Sequence, residues 1–273
     1  MINKAPILQP KPRVNVVSFS MKIPNAKSFS DLINAVSAVV EEGTFHVDDS
    51  AMTLAAMDPA HISLVDFEFQ RSGAEEFSCE KPVEISVSIT ELLKFLKRAR
   101  GAEALELSYD AEKRRLTISF IDPSLSTERT FTVGALETAG EKPPSPKLTF
   151  DARARMEIDV FKDAVDDSML VSDYVKVTIS PTSVTLTAKG ELGTSQTRVD
   201  KTPERTDTAL YDIHAEGETS AHFSLNYLSK ILRAAASVSK ELTVEMSNNK
   251  PIKLDFTIPA GHLTYLIAPR IET

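Results

Sequence analysis

Apolar residues recur at two periods along this chain, and each period marks a kind of element. Phe29, Leu32, Ile33 and Val36 fall on one face of a helix, with Ser30, Asp31, Asn34 and Ser37 facing out. Leu92, Phe95, Leu96 and Ala99 form a second stripe, Phe161, Ala164 and Val165 a third, and Leu228, Ile231, Leu232 and Ala235 a fourth. Elsewhere the period falls to two. "EALELSYDAEKRRLTISFI" from Glu103 and "KELTVEMSNNKPIKLDFTI" from Lys240 each alternate about a polar turn and predict hairpins. Strands outnumber helices throughout. That balance predicts an α+β fold, with antiparallel sheets carrying their helices on one face.

The pattern occurs twice. "SITELLKFLKRA" (Ser88–Ala99) and "SLNYLSKILRAA" (Ser224–Ala235) share the form S-[I/L]-x-x-L-x-K-[F/I]-L-[K/R]-x-A, 136 positions apart (88 against 224). At an offset of 132, Phe29 and Asp31 meet Phe161 and Asp163, and "TLAA" at Thr53 meets "TLTA" at Thr185. The chain is a duplication. Between its halves lies "GALETAGEKPPSPK", where Pro143, Pro144 and Pro146 exclude both helix and central strand and predict an extended connector. The expected organisation is a mobile N-terminal extension over 1–13, a first domain over 14–134, the connector over 135–147, and a second domain over 148–273. Side-by-side halves leave two open sheet edges. Such edges invite pairing with another chain, and head-to-tail pairing closes into a ring where the rotation permits.

Composition adds exclusions. Of 273 residues, 42% are hydrophobic and 26% charged, which is globular. No apolar run approaches the roughly 20 residues needed to cross a bilayer, and no secretion signal is expected. A single cysteine, Cys79, excludes an internal disulfide and fits a reducing cytosol. The net charge of −8 argues against indiscriminate binding to nucleic acid or anionic membrane. The distribution of charge says more. Lys94, Lys97 and Arg98 share the outer face of the second helix with Arg100 at its flank, and Lys230 and Arg233 repeat the arrangement on the fourth. Cations without interleaved aromatics suit phosphate contacts, which hold a duplex without reading its sequence. The first and third helices are neutral to acidic outside, with Asp163, Asp166 and Asp167 beside Lys162.

Chemistry is sparse. None of the five histidines (His46, His61, His214, His222, His262) has metal-ligand spacing, and no nucleophile elbow, P-loop or dinucleotide fingerprint occurs. Asp58 and His61 in "MDPAH" are the one close pair, and a hydrolase built on them is a remote alternative. No catalytic residue, metal or cofactor is expected.

"AMDPAHISLVDFEF", "GELGTSQ" and the C-terminal "GHLTYLIAPRIE" together resemble proliferating cell nuclear antigen, the sliding clamp of archaea and eukaryotes. The resemblance runs from about Val14 to the end. It implies two duplicated clamp domains per chain and a ring of three chains, with sheets outside and two helices per domain lining a hole that encircles double-stranded DNA. Lys94, Lys97, Arg98, Arg100, Lys230 and Arg233 then face the DNA. It implies docking of DNA polymerase, flap endonuclease and DNA ligase through short peptides in a pocket formed by Met57, His61, Leu64, Pro251, Leu266, Ala268 and Pro269, with Gly140 to Pro144 as its lid. It also implies a clamp loader as partner, a location at the archaeal nucleoid or in a eukaryotic nucleus, and no membrane. Chain-to-chain contact falls on Thr127, Arg129, Phe131 and Val133 of one copy, and on Thr194, Gln196 and Arg198 of the next, the next being itself or a paralogous subunit. A checkpoint-type clamp of the same fold is the alternative. The chain departs from the family in its acidic third helix, in Leu266 where many relatives carry an aromatic, and in its longer N-terminus.

Overall fold

The computed structural model describes residues 17–137, 143, 148–202 and 208–271. The expected extension over 1–13 and most of the connector, including Gly140, Pro144 and Pro146, lie outside the described residues. In the first half the order is β1 (Phe19–Ile23), α1 (Ala26–Val36), β2 (Glu42–Val47), β3 (Ala51–Met57), β4 (Ser63–Gln70), β5 (Glu76–Cys79), β6 (Val83–Ser88), α2 (Ile89–Leu96), β7 (Ala104–Asp110), β8 (Arg115–Asp122) and β9 (Thr127–Gly134). The second half repeats the scheme with β10 (Ala152–Glu157), α3 (Ile158–Met169), β11 (Tyr174–Ile179), β12 (Ser183–Gly190), β13 (Gly193–Asp200), β14 (Leu210–Ala215), β15 (Thr219–Ser224), α4 (Leu225–Ala235), β16 (Glu241–Met246), β17 (Ile252–Ile258) and β18 (Gly261–Ile267). Every named pairing is antiparallel.

Helices α1 and α2 start where side chains cap them. The Asn25 side chain accepts from the Ser28 N–H at 3.1 Å, and Ser88 accepts from the Glu91 N–H at 3.2 Å. Their apolar stripes are buried as the spacing predicts except at Phe95 and Ala99, which are half-buried, and Ser30, expected outside, is only 5% exposed. The second helix is shorter than its repeat pattern. It ends at Leu96, so Lys97 caps it and Arg98 and Arg100 sit in the following loop. In that loop the Glu103 carboxylate accepts the Arg100 N–H at 2.6 Å.

Two sheets stay within one half, in the orders β5-β1-β7-β8-β9 and β13-β12-β11-β15. The third runs across both halves as β14-β10-β16-β17-β18-β4-β3-β2-β6, joined where β18 pairs with β4. At that join Leu263, Tyr265 and Ile267 lie opposite Phe67, Val65 and Ser63. Gly261 is required there, since a Cβ on it would lie 1.9 Å from the Glu68 carbonyl oxygen. The Tyr265 hydroxyl, fully buried, donates to the Ala35 carbonyl of α1 at 2.6 Å. The buried apolar side chains of both halves form one connected core.

Candidate nucleic-acid face, edge strands and docking pocket

The four helices form one row. Helix α1 packs against α2 on one side and α4 on the other, and α3 packs against α4. The sheets hold their apolar stripes, so their polar faces point outward together. The cations on this face fall into two groups. Lys27 pairs with Asp31, Lys94 with Glu91, Lys162 with Asp163, and Arg233 with Asp166 at 2.9 Å. Lys97, Arg98, Arg100 and Lys230 are exposed or nearly so and have no ion-pair partner among the described residues. The negative charge of α3 is thus partly neutralised inside the row: Asp166 takes Arg233 and the Ser229 hydroxyl, at 2.9 and 3.3 Å. Exposed pairs of this kind are worth little and exchange readily for phosphate.

Arg129 does more than its expected place on an edge strand requires. Its guanidinium donates to both Glu103 oxygens at 2.8 and 2.7 Å and to the Arg98 carbonyl at 3.0 Å, and lies over the Phe120 ring. Glu103 is buried, so this pair fixes the loop that carries Arg98 and Arg100 to strand β9.

Strands β9 and β13 are sheet edges among the described residues. Along β9, Arg129, Phe131 and Val133 are half-buried and alternate with exposed Thr127, Glu128, Thr130 and Thr132. Along β13, Thr194, Gln196 and Arg198 are exposed and Ser195, Thr197 and Val199 half-buried. Phe131 packs on Phe95 and Phe120, with centroids 5.5 and 6.1 Å apart.

A cavity of about 420 Å³ opens on the sheet that crosses both halves, between Leu64 and Asp66 of β4, His262, Thr264 and Leu266 of β18, Lys253 and Asp255 of β17, and Leu148 and Phe150. Register explains the grouping: Met57, Leu64, Leu266 and Lys253 stand abreast across four strands, and Asp66, Thr264 and Asp255 form the next row. Of the seven residues expected here, only Leu64 and Leu266 line the cavity. Met57 extends its row, at 36% exposed. His61 lies in the β3–β4 loop, and the Ala268 N–H bonds the Ile62 carbonyl at 2.8 Å beside it. Pro251 precedes β17, and Pro269 lines a separate cleft with His222 and Arg270. The cavity is more polar than its expected members suggest. Thr264 donates to Asp255 at 2.6 Å, Lys253 pairs with Glu245 at 2.8 Å, and His262 stands 3.7 Å from Asp66. The Asp66 carboxylate raises the His262 pKa; burial opposes it, and Glu68 and Asp255 add to it. Alternation marks these outward residues in the sequence, but it cannot say that β18 lies beside β4.

Asp58 is held by its own loop and by helix α4. Its Oδ1 accepts the Ile62 and Ser63 N–H groups at 2.8 and 2.6 Å, and its Oδ2 accepts the Ala60 N–H at 3.1 Å and the Tyr227 hydroxyl at 2.7 Å. Burial alone would raise its pKa, but these four donors hold the carboxyl below its ordinary value. No hydrogen bond joins it to the His61 ring, which is exposed on a residue at φ +56°. No group of three His, Cys, Asp or Glu side chains among the described residues could hold a metal ion.

Comparison with known proteins accords with this geometry. The N-terminal domain of proliferating cell nuclear antigen matches residues 18–138, and the C-terminal domain of the same family matches residues 145–270. The DNA polymerase sliding clamp 1 of Pyrobaculum aerophilum is 31% identical, covering 91% of this chain and 96% of its own. The sliding clamp of Thermofilum pendens is also 31% identical, over 91% of this chain and 98% of its own. In fold, the crystal structure of the antigen from Thermococcus kodakaraensis superposes with a TM-score of 0.84 at 24% identity, covering 92% of this chain and all of that one. Matched in order by both domains, this chain belongs to the proliferating cell nuclear antigen family, the DNA polymerase sliding clamps.

Proposed function

We propose that this sliding clamp works as the family's ring of three chains around duplex DNA, with its helix row turned to the phosphates and its sheets outside. The observation that carries this reading is the set of cations Lys97, Arg98, Arg100 and Lys230, without ion-pair partners among the described residues and gathered on one face of an otherwise acidic chain. Weak, sequence-blind attraction suits a protein that must stay on DNA and still slide. The paired cations Lys94 and Arg233 form a reserve that phosphate can recruit. The expected division into domains over 14–134 and 148–273 joined by a connector belongs to the same reading.

The cavity around Leu64 and Leu266 is where client enzymes dock. A peptide lying on β4 and β18 would set an apolar plug against Leu64, Leu266, Leu148 and Phe150, with polar anchors at Asp66 and Asp255. DNA polymerase, flap endonuclease and DNA ligase are the expected clients, and a clamp loader opens the ring. The chain itself is a scaffold without chemistry. Among the described residues, no helix is long and apolar enough to cross a membrane.

Primer extension by a replicative DNA polymerase on singly primed circular template is the test. Adding the chain with a clamp loader should lengthen products, and Leu266→Arg should abolish the gain. Unchanged product length with the wild-type chain would remove the processivity role and favour the checkpoint-type alternative.

A further inference from the structure

Two cations of the second half lie outside the helix row. Strands β11 and β15 bury Val175, Val177, Ala221 and Phe223 against the helices and turn Lys176 and His222 to the opposite side. Lys176 and His222 face each other across that pair. The C-terminal segment runs along the free edge of β15, where the Arg270 N–H donates to the His222 carbonyl at 2.7 Å. The Arg270 guanidinium lies 3.9 Å over the Tyr174 ring. The β16–β17 turn is pinned to the same strand: the Asn248 side chain accepts the Ser220 N–H at 2.7 Å, and the Asn249 N–H donates to the Ser220 carbonyl at 3.3 Å. Turn, strand and C-terminal segment enclose a cleft of about 450 Å³.

This cleft is cationic in a chain of net charge −8. Lys176 is half-buried and Arg270 exposed, and neither has an ion-pair partner among the described residues. Among the described residues no acidic side chain lines the cleft, while Ser220 and Asn249 add a hydroxyl and an amide. A guanidinium seated over a ring keeps its in-plane N–H donors for an oxyanion. Because Lys176 points away from the helices, the phosphates that the helix row would face do not account for it.

We propose that this cleft holds an acidic residue flanking the docking peptide of a client enzyme, bound between Arg270 and Lys176. This rests on the docking reading above and adds a second determinant of which client binds. The two sites are joined by one segment of chain. Leu266 lines the docking cavity, the Ala268 N–H bonds the β3–β4 loop, and Pro269 and Arg270 line the cleft. Four positions separate Leu266 from Arg270, about 13 Å of extended chain, so about four residues of an extended peptide span the gap. Charge decides what the flank must be. The docking cavity carries Asp66 and Asp255, which repel a second carboxylate, so the cleft is the place left for one. There Arg270 and Lys176 offer charged donors, and Ser220 and Asn249 can fill its remaining lone pairs.

Fluorescence anisotropy on the full chain tests this, using the docking peptide of a flap endonuclease extended at either end by Glu or by Gly-Ser residues. On the wild type, a Glu extension at one end should bind about fivefold tighter than the Gly-Ser peptide, against the net charge of the chain. High salt should erase that advantage. Lys176→Glu and Arg270→Gln should each reduce it and the double variant abolish it, while the Gly-Ser peptide keeps its affinity. Lys176→Glu leaves the C-terminal segment untouched, so its loss of the advantage reads the cleft alone. Equal or weaker binding of every Glu peptide to the wild type, or an advantage that survives in the double variant, would overturn the proposal and leave the docking reading standing. Failure of every peptide to bind, the Gly-Ser form included, would overturn the docking reading and the proposal with it.

Discussion

The Tyr227 hydroxyl donates to Asp58 Oδ2 at 2.7 Å, joining helix α4 of one half to the β3–β4 loop of the other across 169 positions of sequence. The same carboxylate takes three backbone N–H groups of its own loop. One side chain thus shapes the loop carrying His61 and ties it to the helix carrying Lys230.

Tyr227→Phe should cost about 1.5 kcal/mol in denaturant unfolding, because a bond to a charged acceptor is lost and Asp58 keeps its other donors. The pH dependence has a fixed sign. The lowered Asp58 pKa gives stability that is full above the ordinary carboxylate range and is lost as pH falls through the lowered value. Tyr227, raised from 10.0 to about 12 by burial and then by Asp58, gives stability that is full below pH 10 and is lost as pH rises toward 12. Tyr227→Phe should flatten the alkaline loss.

Lys97→Ala with Lys230→Ala should weaken DNA binding more than Lys94→Ala with Arg233→Ala, since the second pair is already held by Glu91 and Asp166. Titration at several salt concentrations measures it. The slope of log affinity against log salt should fall by about 0.9 for each phosphate contact removed.

Asp166→Asn should strengthen DNA binding. It releases Arg233 to solvent and removes one negative charge from the row, while the amide oxygen can still accept from Ser229. Equal or weaker binding would show that Asp166 serves mainly to orient Arg233.

His262→Gln should lower stability below the ordinary histidine pKa and matter less as pH rises. The pKa of His262 is raised first by Asp66, so its contribution is full below the unfolded value and fades as pH climbs through the raised one. Thermal melts of both proteins across neutral pH would show the two curves converging.

The duplication and the helix stripes were legible because they are local patterns. The buried faces of Phe29, Phe161 and Leu228 follow from spacing alone. What the pattern could not give depended on single side chains or on pairing between distant segments. Helix α2 ends at Leu96 and leaves Arg98 and Arg100 in a loop whose Arg100 N–H bonds Glu103. The cavity needs β18 beside β4, a join between halves, so Asp66, His262 and Asp255 gather there without any sequence signal of proximity. Asp58 and His61 show the converse: nearness in sequence suggested chemistry, and four donors to one carboxylate explain it as a loop anchor.

The central claim is topological, and retention on DNA tests it most directly. The chain would be loaded by a clamp loader onto a nicked circular duplex and passed through a sizing column at high salt, before and after linearisation. An encircling ring should stay with the circle and run off once the DNA has ends. Loss from the circle at the same rate as from linear DNA would mean that the chain holds DNA by surface charge alone, and would contradict the ring.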